Sequence, residues 1–185
     1  MEHATFVRMV DGTQEDYDAV TAIEAAYNEG LVDRVLQAVR DLDTGLQAYA
    51  VTRYEHSLQT ATRALRDGRD EEYVVAALVH DIGDALAPYS HSELAAAVLR
   101  PFVRPELHWV VAHHGAFQMH YYGAFTGHDP DARERFRGHE FFDACEEFCL
   151  RYDQESFDPA YDSEPLESFE PLVRRVFREP RYLAP

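Results

Sequence analysis

The adjacent pair His80 and Asp81 closes the most apolar stretch of the chain, residues 73–79. A histidine suits the negative end of a helix dipole, whereas a carboxylate at the same end is disfavoured. Burying both side chains without partners would also be costly. A divalent cation removes both difficulties, because it binds a neutral imidazole and an ionised carboxylate together. The pair therefore predicts a metal site at the end of a buried helix.

Three further residues of ligand type stand where packing alone gives no reason for them. His56 lies away from the apolar stripe of a helix predicted over residues 47–67. His91 falls in the first turn of a later helix, which a capping box at Ser90 is predicted to open. Asp153 continues the apolar face of the helix before it, so an acid again ends a buried stripe. Solvated side chains remain the alternative for both histidines.

The helical period separates His114 from its neighbour His113. Leu107, two valines and His114 share one helical stripe, so the His114 side chain points where the core residues point. His113 is turned by about 100° from that direction. We expect His113 to lie behind the ligands or to face a substrate.

The candidate ligands are imidazoles and carboxylates without a thiolate, since the spacing of Cys145 and Cys149 suits core packing. Such a set is typical of Fe, Mn, Zn or Ni rather than of a sulfur-rich site. The remaining histidines have no pattern around them and are expected to have no functional contact: His3, His108, His120, His128 and His139.

Helical periodicity dominates the chain and no clean strand alternation occurs, so the predicted fold class is all-α. We expect one domain over residues 1–185, in which N-terminal helices (14–45) pack on a metal-binding bundle (46–153). Residues 154–185 are expected to drape over the core. Helices are predicted over 14–29, 31–43, 47–67, 70–82, from Ser90 to Pro101, from Pro105 to Gly115, over 130–137 and 139–152, and over 166–178, with a loop after Gly115.

All 17 basic residues of the 185-residue chain are arginines, and the formal net charge is -17. A surface this acidic repels phosphate backbones and anionic membranes, so we expect no nucleic-acid partner. The sequence has no apolar run of about 18 residues and no signal peptide at its start, which favours a cytoplasmic protein without a membrane partner. A small-molecule substrate is the expected partner, and a homodimer stays open.

The ordered set His56, His80-Asp81 and Asp153 resembles the H…HD…D signature of the HD superfamily, helical bundles that are mostly phosphohydrolases. With His91 and His114 added, the pattern resembles the HD-domain mixed-valent di-iron oxygenases, the group of myo-inositol oxygenase and the hydroxy-phosphonate oxygenases. The resemblance covers roughly residues 45–180. The local strings that look closest to the phosphonate branch are Glu55-His56-Ser57-Leu58-Gln59 and Tyr152-Asp153-Gln154.

The resemblance implies two iron ions per chain, Fe(II) and Fe(III), with O2 as co-substrate. Asp81 would be the catalytic bridge between the two ions. The implied reaction abstracts hydrogen from the carbon that bears the substrate's hydroxyl group and then cleaves a C–C or C–P bond. Carried over by position, one iron would bind His56, His80, Asp81 and Asp153, and the other Asp81, His91 and His114.

Two departures from the phosphonate branch bear on the substrate. A Tyr-x-x-Glu that gates the open iron position is replaced by Leu46-Gln47-Ala48-Tyr49, and the last histidine of H-D-x-G-H is replaced by Asp84. The chain also has no lysine to hold a phosphonate.

Two chemistries fit a pair of cations bridged by a carboxylate. Redox-inert metals would hydrolyse a phosphate ester or nucleotide, with Arg53, Arg137 and Arg151 available for the phosphate. An iron pair would oxidise a hydroxylated substrate, which the aromatic residues near the site favour. A metal-stabilised helical module without turnover is the third alternative.

The substrate is expected to be a small hydroxylated compound, a phosphonate or one with a trimethylammonium head group. The net charge of -17 favours cations at long range, and the rings of Trp109, Tyr121 and Tyr122 could hold a quaternary ammonium unless they belong to the core. The candidate substrate-binding residues are Asp84, His113, Gln118, Tyr121 and Tyr122.

Overall fold

The computed structural model describes residues 3–182. That range forms eight α-helices and no β-strand, which confirms the predicted all-α class. Short 3-10 turns occur at Met9–Asp11, Leu42–Thr44 and Ala132–Phe136, and a π-helical turn at Cys149–Asp153. The helices are α1 (Gln14–Glu29), α2 (Leu31–Asp41), α3 (Arg53–Arg66), α4 (Glu71–Val79), α5 (His91–Leu99), α6 (Pro105–Thr126), α7 (Phe142–Phe148) and α8 (Leu166–Val176).

The buried helix α4 is the centre of the bundle. It packs against α2, α3, α6 and α8, and every residue from Tyr73 to Val79 is buried. Asp70 caps its N-terminus by accepting a hydrogen bond from the Tyr73 N–H at 3.0 Å. Because α4 is enclosed on all sides, the residues that follow it, His80 and Asp81, are buried as well.

Helix α3 begins six residues later than predicted, at a capping box. The Glu55 N–H donates to the Thr52 hydroxyl at 3.1 Å, and the Thr52 N–H donates to the Glu55 carboxylate at 2.7 Å. Two donors at the helix start are satisfied in this way. The box fixes the first turn of α3, which carries Arg53 and His56.

The predicted end of α6 at Gly115 is wrong. The helix continues to Thr126 and ends at Gly127, which adopts the left-handed conformation with φ 78°. A Cβ at Gly115 would lie 3.0 Å from the Ser92 hydroxyl oxygen of α5. The glycine therefore allows two helices to approach closely instead of ending one. The predicted capping box at Ser90 is also wrong, because its side chain makes no capping hydrogen bond.

The two ends of the chain pack differently. Helix α1 has no buried residue and packs against α2. Helix α8 buries Leu166, Phe169 and Val173 against the bundle and is a full core element. Residues 154–165 run along α3, where the Gln59 amide donates to the Asp158 carbonyl at 2.8 Å. Among residues 3–182, no helix combines the length and apolarity needed to cross a lipid bilayer.

Candidate metal centre

The structure brings all six predicted ligand residues to one place. His56 lies on α3, His80 and Asp81 directly after α4, and His91 is the first residue of α5. His114 lies on α6, and Asp153 is the last residue of the π-helical turn. Three overlapping groups have ligand atoms within 4.8 Å of one another: His56, His80 and Asp81; His80, His114 and Asp153; and Asp81, His91 and His114.

The two carboxylate oxygens of Asp81 face different pairs of imidazoles. Oδ2 lies 3.5 Å from the Nε2 atom of His56 and 3.4 Å from that of His80. Oδ1 lies 3.2 Å from the Nε2 atom of His114 and 3.5 Å from that of His91. The arrangement defines two groups of donor atoms that share Asp81.

Asp153 completes the first of these groups. Its Oδ1 atom lies 3.2 Å from the Nε2 atom of His56 and 3.8 Å from that of His80. Its Oδ2 atom is buried and has no hydrogen-bond partner among the described residues. A buried carboxylate oxygen without a partner is costly, and a cation beside it would satisfy it.

Backbone carbonyls hold three of the four rings by their Nδ1 atoms. When a ring is neutral, a carbonyl acceptor at Nδ1 places the proton there and leaves the Nε2 lone pair free. This is the usual arrangement behind a metal-bound histidine. The Nδ1 contacts are His56 to Ser156 O at 2.9 Å, His80 to Ala77 O at 2.8 Å and His114 to Val111 O at 2.7 Å.

The free Nε2 atoms then face one another across the centre. They are 3.1 Å apart between His56 and His80 and 3.3 Å apart between His91 and His114. Two lone pairs at this distance repel unless a proton or a cation lies between them. The donor set therefore fits two cations, each beside one oxygen of Asp81.

The electrostatics of the centre favour the protonation states that a metal needs. Burial raises the pKa of Asp81, but the neighbouring His80 and His114 outweigh it and hold that pKa well below its usual range. Burial likewise raises the pKa of Asp153, but His56 and His80, when their Nε2 atoms carry a proton, donate to it and lower that pKa overall. Burial lowers the pKa of His91. Ionised carboxylates and a neutral His91 result.

The pKa of His80 shifts in the opposite direction from that of His91. Burial lowers its pKa, but Asp81 and Asp153 raise it overall. A positive charge is thus favoured between these carboxylates, and a metal ion would supply it without a proton on the ring.

Two local features position ligands that the helical pattern alone would misplace. The π-helical turn, closed by the Gln154 N–H donating to the Cys149 carbonyl at 3.0 Å, sets the direction of Asp153. Such turns occur often at functional sites. Gly83 lets α5 approach the centre, since a Cβ there would lie 2.3 Å from the His91 carbonyl oxygen.

A cavity of about 310 Å³ opens onto the centre. Gln118, Tyr121 and Tyr122 line it from the same face of α6 as His114, from which they are separated by about one or two helical turns. Residues after α7 close another side, where the Phe157 ring stacks on His56 with centroids 4.4 Å apart. The full lining is Tyr49, Arg53, Asp81, His91, His114, Gly115, Gln118, Tyr121, Tyr122, Thr126, Asp153, Gln154 and Phe157.

Tyr49 and Phe157 also line the cavity, which the sequence did not predict. Their rings touch each other, with centroids 5.1 Å apart. Tyr49 could have been predicted, because it lies in the stretch that differs from the gating motif of the phosphonate branch. Phe157 could not, because it lies in an acidic segment after the last ligand, where no sequence pattern indicates a place in the cavity wall.

Two predicted substrate-binding residues do not line the cavity. His113 stacks on Trp109 at 4.2 Å and packs on Phe136 at 4.6 Å, because this face of α6 is covered by the turn Ala132–Phe136. The prediction that His113 faces a substrate is therefore corrected, and Trp109 leaves the proposed aromatic wall with it.

The prediction that Asp84 binds the substrate is also corrected, because Asp84 does not line the cavity. One carboxylate oxygen lies 3.5 Å from the Nδ1 atom of His91, and the other lies 2.7 Å from the Nε atom of Arg53. Asp84 therefore stands behind a ligand histidine instead of facing the cavity.

Together, the helical bundle and the paired imidazole and carboxylate donors define an all-α domain built around a cluster that could hold metal ions. Comparison with protein-family models matches the HD domain to residues 53–155, more than half of the chain, and the chain belongs to this family. The matched segment runs from the start of α3 to just past Asp153. Members of the family are mostly metal-dependent hydrolases, which supports an enzyme function. None of the curated proteins matches the chain.

Proposed function

We propose that this protein is a di-iron oxygenase that uses O2 to oxidise or cleave a small hydroxylated compound. The observation that carries the proposal is the division of Asp81 between two pairs of imidazoles. Four histidines and two carboxylates without a thiolate suit a pair of iron ions. A cavity that reaches the same residues gives a substrate access to them.

The two donor groups differ in how many protein ligands they offer. His56, His80, Asp81 and Asp153 could hold one ion, and Asp81, His91 and His114 the other. The second group offers fewer donors, and all three of its residues line the cavity. A bound iron pair would supply electrons for O2 activation and a Lewis acid for the substrate's hydroxyl group.

The chain's own residues orient the substrate and exclude water. Phe157 covers the His56 ring, and Tyr49 packs on Phe157, so the His56 side chain is fully buried from solvent. The Gln118 amide offers a donor and an acceptor to a hydroxylated compound. Burial raises the pKa of Tyr121 to about 12, so its phenol stays neutral and can donate a hydrogen bond.

Four of the nine lining residues outside the predicted ligands are aromatic, namely Tyr49, Tyr121, Tyr122 and Phe157, which supports oxidation over phosphate ester hydrolysis. A phosphate site normally offers several arginines or lysines, whereas Arg53 is the one cationic side chain among the described residues of the lining. The rings of Tyr121 and Tyr122 support a cationic head group at that wall, as in a quaternary ammonium compound.

A metal-dependent phosphohydrolase is the second candidate. The HD domain family favours it, and the position of Arg53 in the cavity is the specific observation in its support. A purely structural metal site has less support, because an open cavity reaches four of the six ligand residues.

The experiment is metal analysis and EPR spectroscopy of protein purified without air, followed by O2 uptake with choline, ethanolamine and glycerol. We expect two irons per chain, a low-field signal from a mixed-valent pair, and uptake with at least one compound. The variant Asp81→Asn should lose the signal, and Glu24→Gln, on exposed helix α1, should keep it. Phosphate release from p-nitrophenyl phosphate with Mn²⁺, without any O2 uptake, would favour the hydrolase.

A further inference from the structure

A buried serine connects two of the predicted ligands, which lie on different elements. Ser156 follows Asp153 by three residues and has no exposed surface. Its carbonyl oxygen lies 2.9 Å from the Nδ1 atom of His56 on α3, and its N–H donates to the Asp153 carbonyl at 3.1 Å. Ser156 is therefore hydrogen-bonded to the ring of one ligand and to the backbone of the other.

The side chain of Ser156 binds the turn that carries Asp153. Its hydroxyl donates to the Tyr152 carbonyl at 2.5 Å. Tyr152 and Asp153 are the last two residues of the π-helical turn, and the carbonyls at the end of a helical segment lack partners within it. The hydroxyl and the N–H of Ser156 supply donors to both carbonyls, and so they fix the backbone from which the Asp153 side chain projects.

One face of α3 holds the segment that follows the last ligand. His56, Gln59 and Arg63 are spaced by three and four residues, so they share a face of the helix. The Gln59 amide donates to the Asp158 carbonyl at 2.8 Å, and the Arg63 guanidinium donates to the Glu155 carbonyl at 2.8 Å. The segment is thus tied to α3 on both sides of the carbonyl that contacts the His56 ring.

A small movement of this turn would disturb the first group of donor atoms. The Asp153 Oδ1 atom lies 3.2 Å from the Nε2 atom of His56 and 3.8 Å from that of His80. A metal ion requires its ligand atoms within a few tenths of an ångström of their ideal distances. Removing the Ser156 hydroxyl takes a donor from the buried Tyr152 carbonyl, so the turn loses one of its constraints.

We propose that Ser156 is a positioning residue for the metal ion predicted beside His56, His80 and Asp153. It acts through two ligands, because its carbonyl orients the His56 ring and its hydroxyl and N–H hold the turn that ends at Asp153. The other ion, on the far side of Asp81, does not depend on Ser156. The inference rests on the metal pair of the proposed function, but not on the identity of the metal or on the chemistry of O2.

The test is stepwise removal of metal from the purified protein with EDTA, followed by metal analysis. We expect Ser156→Ala to bind one ion per chain about 3-fold to 10-fold more weakly, which is the effect of one lost hydrogen bond. The second ion should leave at the EDTA concentration that the wild type requires. Anomalous diffraction from crystals at an intermediate EDTA concentration should show the remaining peak beside His91 and His114.

The matched control is Thr62→Val, which also removes a buried hydroxyl. The Thr62 hydroxyl donates to the Leu58 carbonyl at 2.7 Å and accepts from the Glu164 N–H at 3.0 Å. The control therefore loses hydrogen bonds between α3 and the same acidic segment, but none of them involves a predicted ligand. Thr62→Val should release both ions as the wild type does.

Release of both ions at the wild-type EDTA concentration by Ser156→Ala would overturn the proposal, and so would equally early release by Thr62→Val. Early loss of the ion beside His91 and His114 would overturn it as well. If Ser156→Ala does not fold, Ser156→Cys replaces it, because a thiol is a weak donor, and the same selective release is expected. A metal other than iron would contradict the oxygenase alone, since the order of release does not depend on which metal is bound.

Discussion

Asp81 and Asp84 are three residues apart and have different tasks. The oxygens of Asp81 face four imidazoles. Asp84 faces the outer nitrogen of one of them, His91, whose Nδ1 atom makes no hydrogen bond to a backbone carbonyl among the described residues. His56, His80 and His114 have carbonyl partners there. Asp84 is thus the residue that orients the ring of His91.

The variant Asp84→Asn should weaken the metal on the His91 side. Loss of the carboxylate behind a ligand histidine typically lowers metal affinity about 10-fold to 100-fold. Competition with a chelator, followed by metal analysis, should show one ion released early and the other retained. If Asp84→Asn released both ions only at the chelator concentration that strips the wild type, this role would be contradicted. The control is Asp158→Asn, on the exposed segment beside α3.

The phenol of Tyr121 should ionise late. Burial raises its pKa to about 12, above the value of about 10 for a free tyrosine. Burial of the neutral phenol therefore contributes stability that is present below about pH 10 and is lost as pH rises through 12. In an ultraviolet titration, the Tyr121→Phe variant should lack one tyrosine that ionises near pH 12 in the wild type. Loss of a group that ionises near pH 10 would contradict the prediction.

At the scale of elements, α6 combines three tasks along one face. Its first half packs in the core, His114 reaches the centre, and Gln118, Tyr121 and Tyr122 line the cavity. The sequence predicted the direction of His114 and named these three residues. It could not predict that the helix runs through Gly115, because the reason is the close approach of α5, a contact distant in sequence.

Other parts of the site depend on tertiary contacts that leave no local pattern. The covering of His113 by the turn Ala132–Phe136 reverses the role that helical period suggested for it. The π-helical turn that ends at Asp153 is too short to show a periodic pattern in the sequence. The ends of apolar stripes at His80 and Asp153 were informative, because a polar residue in a buried place needs a partner.

Gly83 is expected to allow the start of α5 to lie close to the end of α4, because it has no side chain. In Gly83→Ala, the new Cβ would lie 2.3 Å from the His91 carbonyl oxygen, so α5 must move. We expect a destabilisation of about 1–3 kcal/mol and loss of the ion bound by Asp81, His91 and His114. Thermal unfolding and metal analysis measure the two effects.

The control for Gly83→Ala is Gly30→Ala, between α1 and α2. The backbone there, with φ -81° and ψ 7°, is accessible to alanine, and the new Cβ would lie 3.1 Å from the flexible end of the Arg34 side chain. Wild-type metal content in Gly83→Ala would show that α5 does not depend on this approach.

At the scale of the whole molecule, the surface charge opposes folding. The chain has 34 acidic residues against 17 arginines. Ion pairs between elements, such as Arg174 with Asp33 at 2.9 Å and Arg175 with Glu71 at 2.9 Å, are exposed and individually weak. Repulsion among the remaining acids therefore dominates the long-range electrostatics.

Salt should stabilise this protein. Raising NaCl from about 20 mM to about 200 mM screens charges beyond roughly 10 Å. We expect the melting temperature of the metal-loaded protein to rise by about 2–4 °C, the equivalent of roughly 1 kcal/mol for a chain of this size. Calorimetry measures it, with sucrose of equal osmolality as the control. A fall in melting temperature would mean that the surface ion pairs outweigh the repulsion.

Anomalous X-ray diffraction at the iron edge would show whether Asp81 joins two metal ions. Crystals of protein purified without air should show two peaks per chain on either side of Asp81, about 3.5–4 Å apart. One peak is expected beside His56, His80 and Asp153, and the other beside His91 and His114. A single peak, with His91 and His114 bonded to each other or turned to solvent, would show that Asp81 does not join two metal ions.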